Sequence, residues 1–500
     1  MMRVTTDCRG SNVNCGLICC TRSAQRSQSS ALPGICSTLA RKSDELGNAS
    51  PLQWPVAWKK VMSIRHEDGY ELWLRYRPVD NAERLAQYRQ AISSAARRDL
   101  ARSRRSAGIL CLVIAALFVF EVAHGSKNMP ISEPEFMELT ADLDVEAFWA
   151  ENAACEAFTT HKPRCALSFS PDDHWLFEFM QVPSTLRYYQ DKAYRDELHR
   201  KVNAITQQYV GKKFFEEDTW VHSPKRIENL FACEFSYTEG ATPWLTAATN
   251  DPDEFARILD RAEATDMAQW ALPEEFLREW EERQSAGKPL PPLGTGSRGP
   301  ATIMTSVLHP ETVFYWIYDH PDLMRRLRDI LARKMVELNQ VLRAFSGNTE
   351  PGWWITDDNS ALFNPRLYRE YCFPVLEQVL AAMAPPGTRR YQHSDSAMGH
   401  LLDQQRQLGI NSVNYGPEVD AALIRQKMPE AIINGQTPPL LLRNGSPEQI
   451  KERVIADFQK AGATGGLIVT TAGSLAAGTG VGRMRWYMKL VQDHCRYDAS

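Results

Sequence analysis

Along residues 129–500, apolar runs of three to eight residues alternate with longer stretches whose apolar positions recur every three to four residues. The second pattern predicts amphipathic helices over residues 133–156, 186–209, 321–345, 365–383, 398–408 and 447–460. Short apolar runs bounded by polar or turn-forming residues predict buried strands at 165–169, 241–248, 302–307, 353–356, 390–392, 410–413, 431–433 and 466–470. These are eight strand-like segments, and the later ones are each followed by a helix. Strictly alternating strands and helices build a parallel sheet, and eight such units close into a (β/α)8 TIM barrel. The punctuation supports the later units: Ser446 before Pro447 and Asn364 before Pro365 are helix starts, and Gly409, Gly462 and Gly465 follow helical patterns.

Residues 1–128 are of a different kind. The first fifty are rich in Ser, Arg, Cys and Asn with no sustained periodicity, the signature of a poorly ordered extension. Residues 66–92, HEDGYELWLRYRPVDNAERLAQYRQAI, resemble the opening segment of bacterial α-glucuronidases, without any of that family's catalytic barrel. Five arginines, Arg97, Arg98, Arg102, Arg104 and Arg105, precede an uncharged run at 106–120. That order suits a membrane anchor, but the run is shorter than the roughly 18–20 residues a bilayer needs. The favoured expectation is that native synthesis starts at Met129 and that the barrel enzyme is cytoplasmic. The alternative is anchoring through 106–120.

Composition narrows the class. Apolar residues make up 43% and charged residues 24%, as in soluble globular proteins. With 57 Lys and Arg against 61 Asp and Glu, no basic excess points to nucleic acid. Cys155, Cys165, Cys233, Cys372 and Cys495 form no metal-type spacing and suit a reducing compartment.

Chemistry-bearing residues concentrate where strands stop. Residues 391–416 read YQHSDSAMGHLLDQQRQLGINSVNYG, so one strand empties into His393 and Asp395 and the next into Asn414 and Tyr415. In parallel α/β proteins, active sites are built at this end of the strands. His393 is a candidate ligand or acid–base group, with Asp395 positioned to fix its tautomer. Asp357 and Asp358 follow the 353–356 run and divide between a helix cap and a catalytic role. Asn414, Tyr415, Asn434 and Gln436 are expected to line the substrate pocket with hydrogen-bonding groups. Arg483 and Arg485, after the last strand, could clamp a carboxylate or phosphate, or could be ordinary surface arginines, and the first-strand region offers Lys162 and Arg164.

From residue 298 to 490 five blocks stand in order: RGPATIMTSVLHPETVFYWIYDHPDLMRRLRDIL, ITDDNSALFNPRLYREYCFPVLEQVL, YQHSDSAMGHLLDQQRQLGINSVNYGPEVD, INGQTPPLLLRNGSPEQIKERV and GGLIVTTAGS. Together they resemble the uroporphyrinogen decarboxylase superfamily, which includes cobalamin-dependent methyltransferases. A weaker likeness extends back to about residue 155. The resemblance implies a (β/α)8 barrel and a decarboxylase-like lyase of porphyrin biosynthesis type, acting on an anionic organic or tetrapyrrole-type substrate. In that scheme Arg164 and Arg483 would hold carboxylates, and His393 with Asp358 would supply the proton. The alternatives are a corrinoid-dependent methyltransferase, served by a corrinoid protein, or a non-catalytic tetrapyrrole- or corrinoid-binding barrel. Barrels of this kind often pair, so the resemblance allows a homodimer, though the chain shows no interface signal.

Two departures from the family stand out. The Arg-Gln-Ala-Gly-Arg-Tyr block of true uroporphyrinogen decarboxylases is missing, and residues 472–478 (AGSLAAG) occupy the place of a terminal Gly-His-Gly. The zinc-binding His-x-Cys of the methyltransferases is replaced by His393-x-Asp395, and Thr470 and Thr471 stand where a further Cys would be sought. A divalent metal such as zinc would then need an oxygen-rich site, expected from His393, Asp395 and Glu418.

Overall fold

The structure, a computed structural model, describes residues 133–155 and 163–497. The 66–92 fragment, the 106–120 run, Met129 and Lys162 lie outside the described residues. Among the described residues no helix is long and apolar enough to cross a membrane.

Among the described residues there are nine strands: β1 Ala166–Leu167, β2 Phe235–Ser236, β3 Trp244–Leu245, β4 Gly296–Arg298, β5 Trp353–Thr356, β6 Arg390–Ser394, β7 Ser412–Tyr415, β8 Ile432–Thr437 and β9 Leu467–Thr471. Seven form one sheet in the order β1-β9-β8-β7-β6-β5-β4, and every pairing in it is parallel. This is the expected α/β barrel fold, with seven of its staves hydrogen-bonded among the described residues. The chain between β1 and β4 contributes the antiparallel hairpin β2–β3 instead of a stave.

Two expected strands are therefore corrected. Residues 241–248 do not join the parallel sheet: Trp244 is 48% exposed while Leu245 is buried, as on a hairpin with one wet face. Residues 302–307 belong to the helix Pro300–Val307, and the stave is the short β4 just before it. The residues of the Pro300–Val307 helix are buried almost all round, and a buried helix and a buried strand leave the same apolar run in sequence. Pro300 at the first helical position decides the outcome, because its fixed φ suits a helix start.

The longest helix, Pro321–Ser346, shows why the outer layer packs. Met324, Leu327, Leu331, Met335, Leu338 and Leu342 recur three or four residues apart, and all are buried. It ends at Gly347, whose φ of +66° is the left-handed cap a side chain would resist. Gly409 and Gly465 have the same handedness, whereas Gly462 lies inside a π turn, Phe458–Gly462. Ser446 forms a reciprocal capping box with Gln449, and Asn364 caps Leu367 N–H, as their spacing predicts. The predicted 133–156 helix is broken by Asp144, which caps the second of two helices, Glu133–Leu139 and Val145–Asn152.

Register sets the functional face. His393 on β6 pairs with Thr356 on β5 and with Asn414 on β7. In-register residues of parallel neighbours share a face, so His393 and Asn414 stand side by side. The alternate positions Gln392 and Tyr415 face the other way, where the Tyr415 hydroxyl donates to Gln392 Oε1 at 3.1 Å.

Candidate active site

Four side chains meet where β5, β6 and β7 end. The His393 ring lies 3.3 Å from Asp395 Oδ1 and 3.7 Å from Asp358 Oδ1, both measured from Nε2. Its other nitrogen, Nδ1, is 2.7 Å from Asn414 Oδ1. Asn414 cannot turn its amide round. Its Nδ2 donates to the carbonyls of Asn434 (2.5 Å) and Thr471 (3.0 Å), and its Oδ1 also accepts the Gly473 N–H at 3.0 Å. Nδ1 of His393 therefore carries a proton, and Nε2 is presented to the two carboxylates.

The aspartates are held by backbone. Asp358 opens the 3-10 turn Asp358–Leu362, and its Oδ1 accepts the Asp395 N–H at 3.0 Å. Ser396 Oγ donates to the Asp358 carbonyl at 2.6 Å, which ties the two strand ends together. Asp395 is bounded by glycines on two sides. A Cβ on Gly416 would come within 2.3 Å of the Asp395 carbonyl oxygen. One on Gly473, where φ is +102°, would come within 2.4 Å of Asp395 Oδ1. The AGSLAAG segment thus supplies close backbone approach where a side chain would have displaced the carboxylate.

Electrostatics follows from this packing. Burial disfavours charge on His393, but the hydrogen bond and charge of Asp395, the charge of Asp358 and the Asn414 amide outweigh it and push the ring up to about 9. Burial raises Asp358 above the usual carboxylate range; the His393 charge opposes the rise and Asp395 adds to it.

The donor set suits a single cation. One group of three metal-type side chains is found among the described residues: Asp358, His393 and Asp395, with ligand atoms all within 4.8 Å of one another. Ligands bound at about 2.0–2.2 Å to a tetrahedral ion stand roughly 3.3–3.5 Å apart, close to the spacings here. The Nδ1–H of His393 on an amide oxygen is the outer contact that orients a metal-binding imidazole. Glu418 is exposed and outside this group, in which Asp358 stands as the third side chain beside His393 and Asp395.

Other expected residues are placed elsewhere. Arg164 is fully buried: it donates to Glu151 Oε2 at 2.6 Å, Asn152 Oδ1 and the carbonyls of Cys165 and Phe148. It precedes β1, at the opposite end of that strand from the mouth. Arg483 is buried over the Phe136 ring and donates to the carbonyls of Leu442 and Gly445. Arg485 likewise ties Thr140, Leu143 and Tyr209 carbonyls together. Asp357 is fully buried and accepts the Thr302 N–H at 2.7 Å, anchoring the Pro300–Val307 helix; burial pushes its carboxyl up to about 6. Asn434 donates to Ser412 Oγ and the Val413 carbonyl, and buried Gln436 donates to the carbonyls of Gly416 and Val419, shaping the β7 exit.

Two neighbours were not singled out as site residues by the sequence. Asp172, after β1, caps Trp175 N–H and feels the Asp395 charge and the Ser474 hydroxyl; burial raises its carboxyl. Arg298, at the end of β4, pairs with Glu228 at 3.0 Å and acts on Asp358. Arg298 ends its strand, the same signal that picked out His393, whereas Asp172 caps the helix Asp173–Phe179 after the β1 loop.

The family model described as "Uroporphyrinogen decarboxylase (URO-D)" matches residues 227–494. No curated protein matches the chain. Among solved structures, a methyltransferase from Methanosarcina mazei is 15% identical, with 66% of this chain and 94% of that one covered and a TM-score of 0.44. A B12-independent methionine synthase from Shewanella sp. W3-18-1, in complex with selenomethionine, is 10% identical, with 59% and 85% covered and a TM-score of 0.29.

Proposed function

Since the family match spans more than half of the 500 residues, the chain belongs to the uroporphyrinogen decarboxylase family, and from that premise we propose an enzyme centred on His393. The reading is a metal-assisted transfer reaction of the methyltransferase-like kind, with Asp358, His393 and Asp395 holding a divalent cation such as zinc. The observation that carries it is the locked Asn414 amide, which leaves His393 Nε2 directed between two carboxylate oxygens. A divalent cation bound there would supply Lewis acidity to a substrate heteroatom at the mouth. Asn414 and Gly473 N–H keep the imidazole in the ligating tautomer. A corrinoid protein docking over the mouth is the partner this reading entails.

The carboxylate-rich mouth and the buried, structural positions of Arg164 and Arg483 weigh against a polycarboxylate tetrapyrrole as substrate. The second reading is a decarboxylase-like lyase in which His393, charged at neutral pH, is the proton donor. Elemental mass spectrometry of the purified protein separates the two. About one zinc or other divalent ion per chain, lost in both His393→Ala and Asp395→Ala, is expected. A protein that stays metal-free after zinc loading and dialysis would sink the first reading and leave the second.

A further inference from the structure

A second polar network lies behind the loop that follows β1, and its hydrogen bonds do not balance with ordinary protonation states. Tyr188 Oη is 3.0 Å from Asp173 Oδ1 and 2.9 Å from His199 Nε2. His199 Nδ1 is 2.5 Å from the Glu216 carbonyl, which can only accept, so Nδ1 carries a proton. With Asp173 ionised and His199 neutral, Tyr188 would face two bare acceptors with a single proton. Tyr188 and His199 are each 3% exposed, too buried for bulk water to make up the deficit.

We propose that Asp173, Tyr188 and His199 hold one additional proton at neutral pH and form a proton store beside the mouth, with Asp173 as its carboxylic acid end. The inference rests on the His393 site being the reaction centre, because that is what gives a neighbouring proton donor its use. Two arrangements balance. In one, Asp173 O–H donates to Tyr188, whose hydroxyl donates to His199 Nε2. In the other, His199 Nε2–H donates to Tyr188, which donates to Asp173. Moving two protons along the chain interconverts them with no net change.

Surroundings favour the first arrangement. Burial raises the Asp173 carboxyl and adjacent Asp172 adds to this, against the Tyr188 and Tyr189 hydroxyls and His174. Burial lowers His199, and the Arg195 charge adds to that. The hydrogen bond to the Glu216 carbonyl acts the other way, as do Asp196 and Glu217, each of which is bonded to a lysine, Lys192 and Lys213, and burial outweighs them. Tyr237 completes the ring contacts on Tyr189. When Asp173 gives up its proton, the Tyr188 hydroxyl swings from His199 to the new carboxylate, and Tyr188 again stands between two acceptors with a single proton. That deficit draws a proton back onto Asp173, the half-buried end of the network.

The test uses the full chain without metal or substrate. Infrared difference spectra at pH 7 should show the carbonyl band of an un-ionised carboxyl that disappears in Asp173→Asn. Nitrogen NMR should show His199 neutral, with Nε2 accepting a hydrogen bond that is lost in Tyr188→Phe. An ionised Asp173 beside a neutral His199, or a carboxyl band indifferent to Asp173→Asn, would overturn the proposal. His393→Ala should leave both signals in place. Failure of the store and failure of the metal reading are therefore separate results.

Discussion

His199 is buried and His393 half-buried, and both ring nitrogens of each are engaged, yet the two are driven to opposite charge states. At the mouth, Nδ1 meets an amide oxygen and Nε2 meets two carboxylates, and the ring is held up at about 9. In the network behind the loop after β1, His199 Nδ1 meets a carbonyl and Nε2 meets a hydroxyl, and burial lowers the ring. Desolvation is the largest influence in both cases and always favours the neutral form. Only carboxylates a few ångströms away reverse it. A buried histidine therefore becomes a charge or cation site through the groups facing Nε2, and its burial alone says nothing about function.

The largest expected effect breaks that comparison on the His393 side. In chelator-treated protein the raised pKa makes His393 stabilising. The sign follows from linkage: the folded state binds the proton more tightly than the unfolded chain. The contribution is full below about 6.5 and disappears as pH rises through about 9. A shift of this size corresponds to about 3 kcal/mol. Urea denaturation of the native chain and His393→Gln should differ by about that much at pH 6 and converge above pH 9.5 or so. A wild-type stability that does not change between pH 6 and 10 would mean that the carboxylates do not govern this ring.

Next in size is Asn414→Ala, which removes the amide that fixes the tautomer while leaving all three cation-facing side chains in place. Loss of such an outer contact weakens metal affinity about 10–100-fold. Competition with a coloured chelator should show zinc binding weakened within that range. Unchanged affinity would mean that the orientation of His393 is set by its strand alone.

How much of this could be read from the chain differs between its two halves. From β5 onward each stave is a short apolar run that stops at a polar residue, so 353–356 coincides with β5, and His393, Asn414 and Asn434 were placed at strand ends from the alternation alone. Before β5 the signal fails for physical reasons. A buried helix imitates a strand at 302–307, and a hairpin with one wet face imitates a stave at 241–248. Arginine identity was equally ambiguous. Arg164 and Arg483 have the chemistry of a carboxylate clamp, but their N–H groups go to main-chain carbonyls and to Glu151, which only the fold reveals.

Glu418 carries the smallest expected effect and the sharpest lesson about spacing. It stands two residues past Gly416, on a chain that has just left the sheet, and it is exposed. Asp358 comes from the neighbouring stave, where the β5–β6 register sets Thr356 beside His393 and so delivers the next loop to the same point. The group that could hold a cation is thus closed across the sheet by register and not along the chain by proximity. Glu418→Gln should leave zinc affinity within about twofold of the native value, since an exposed carboxylate outside the ligand shell acts only through screened charge. Asp358→Asn should weaken it by more than Asn414→Ala does. The reverse ranking in the same chelator competition would return Glu418 to the site and remove Asp358 from it.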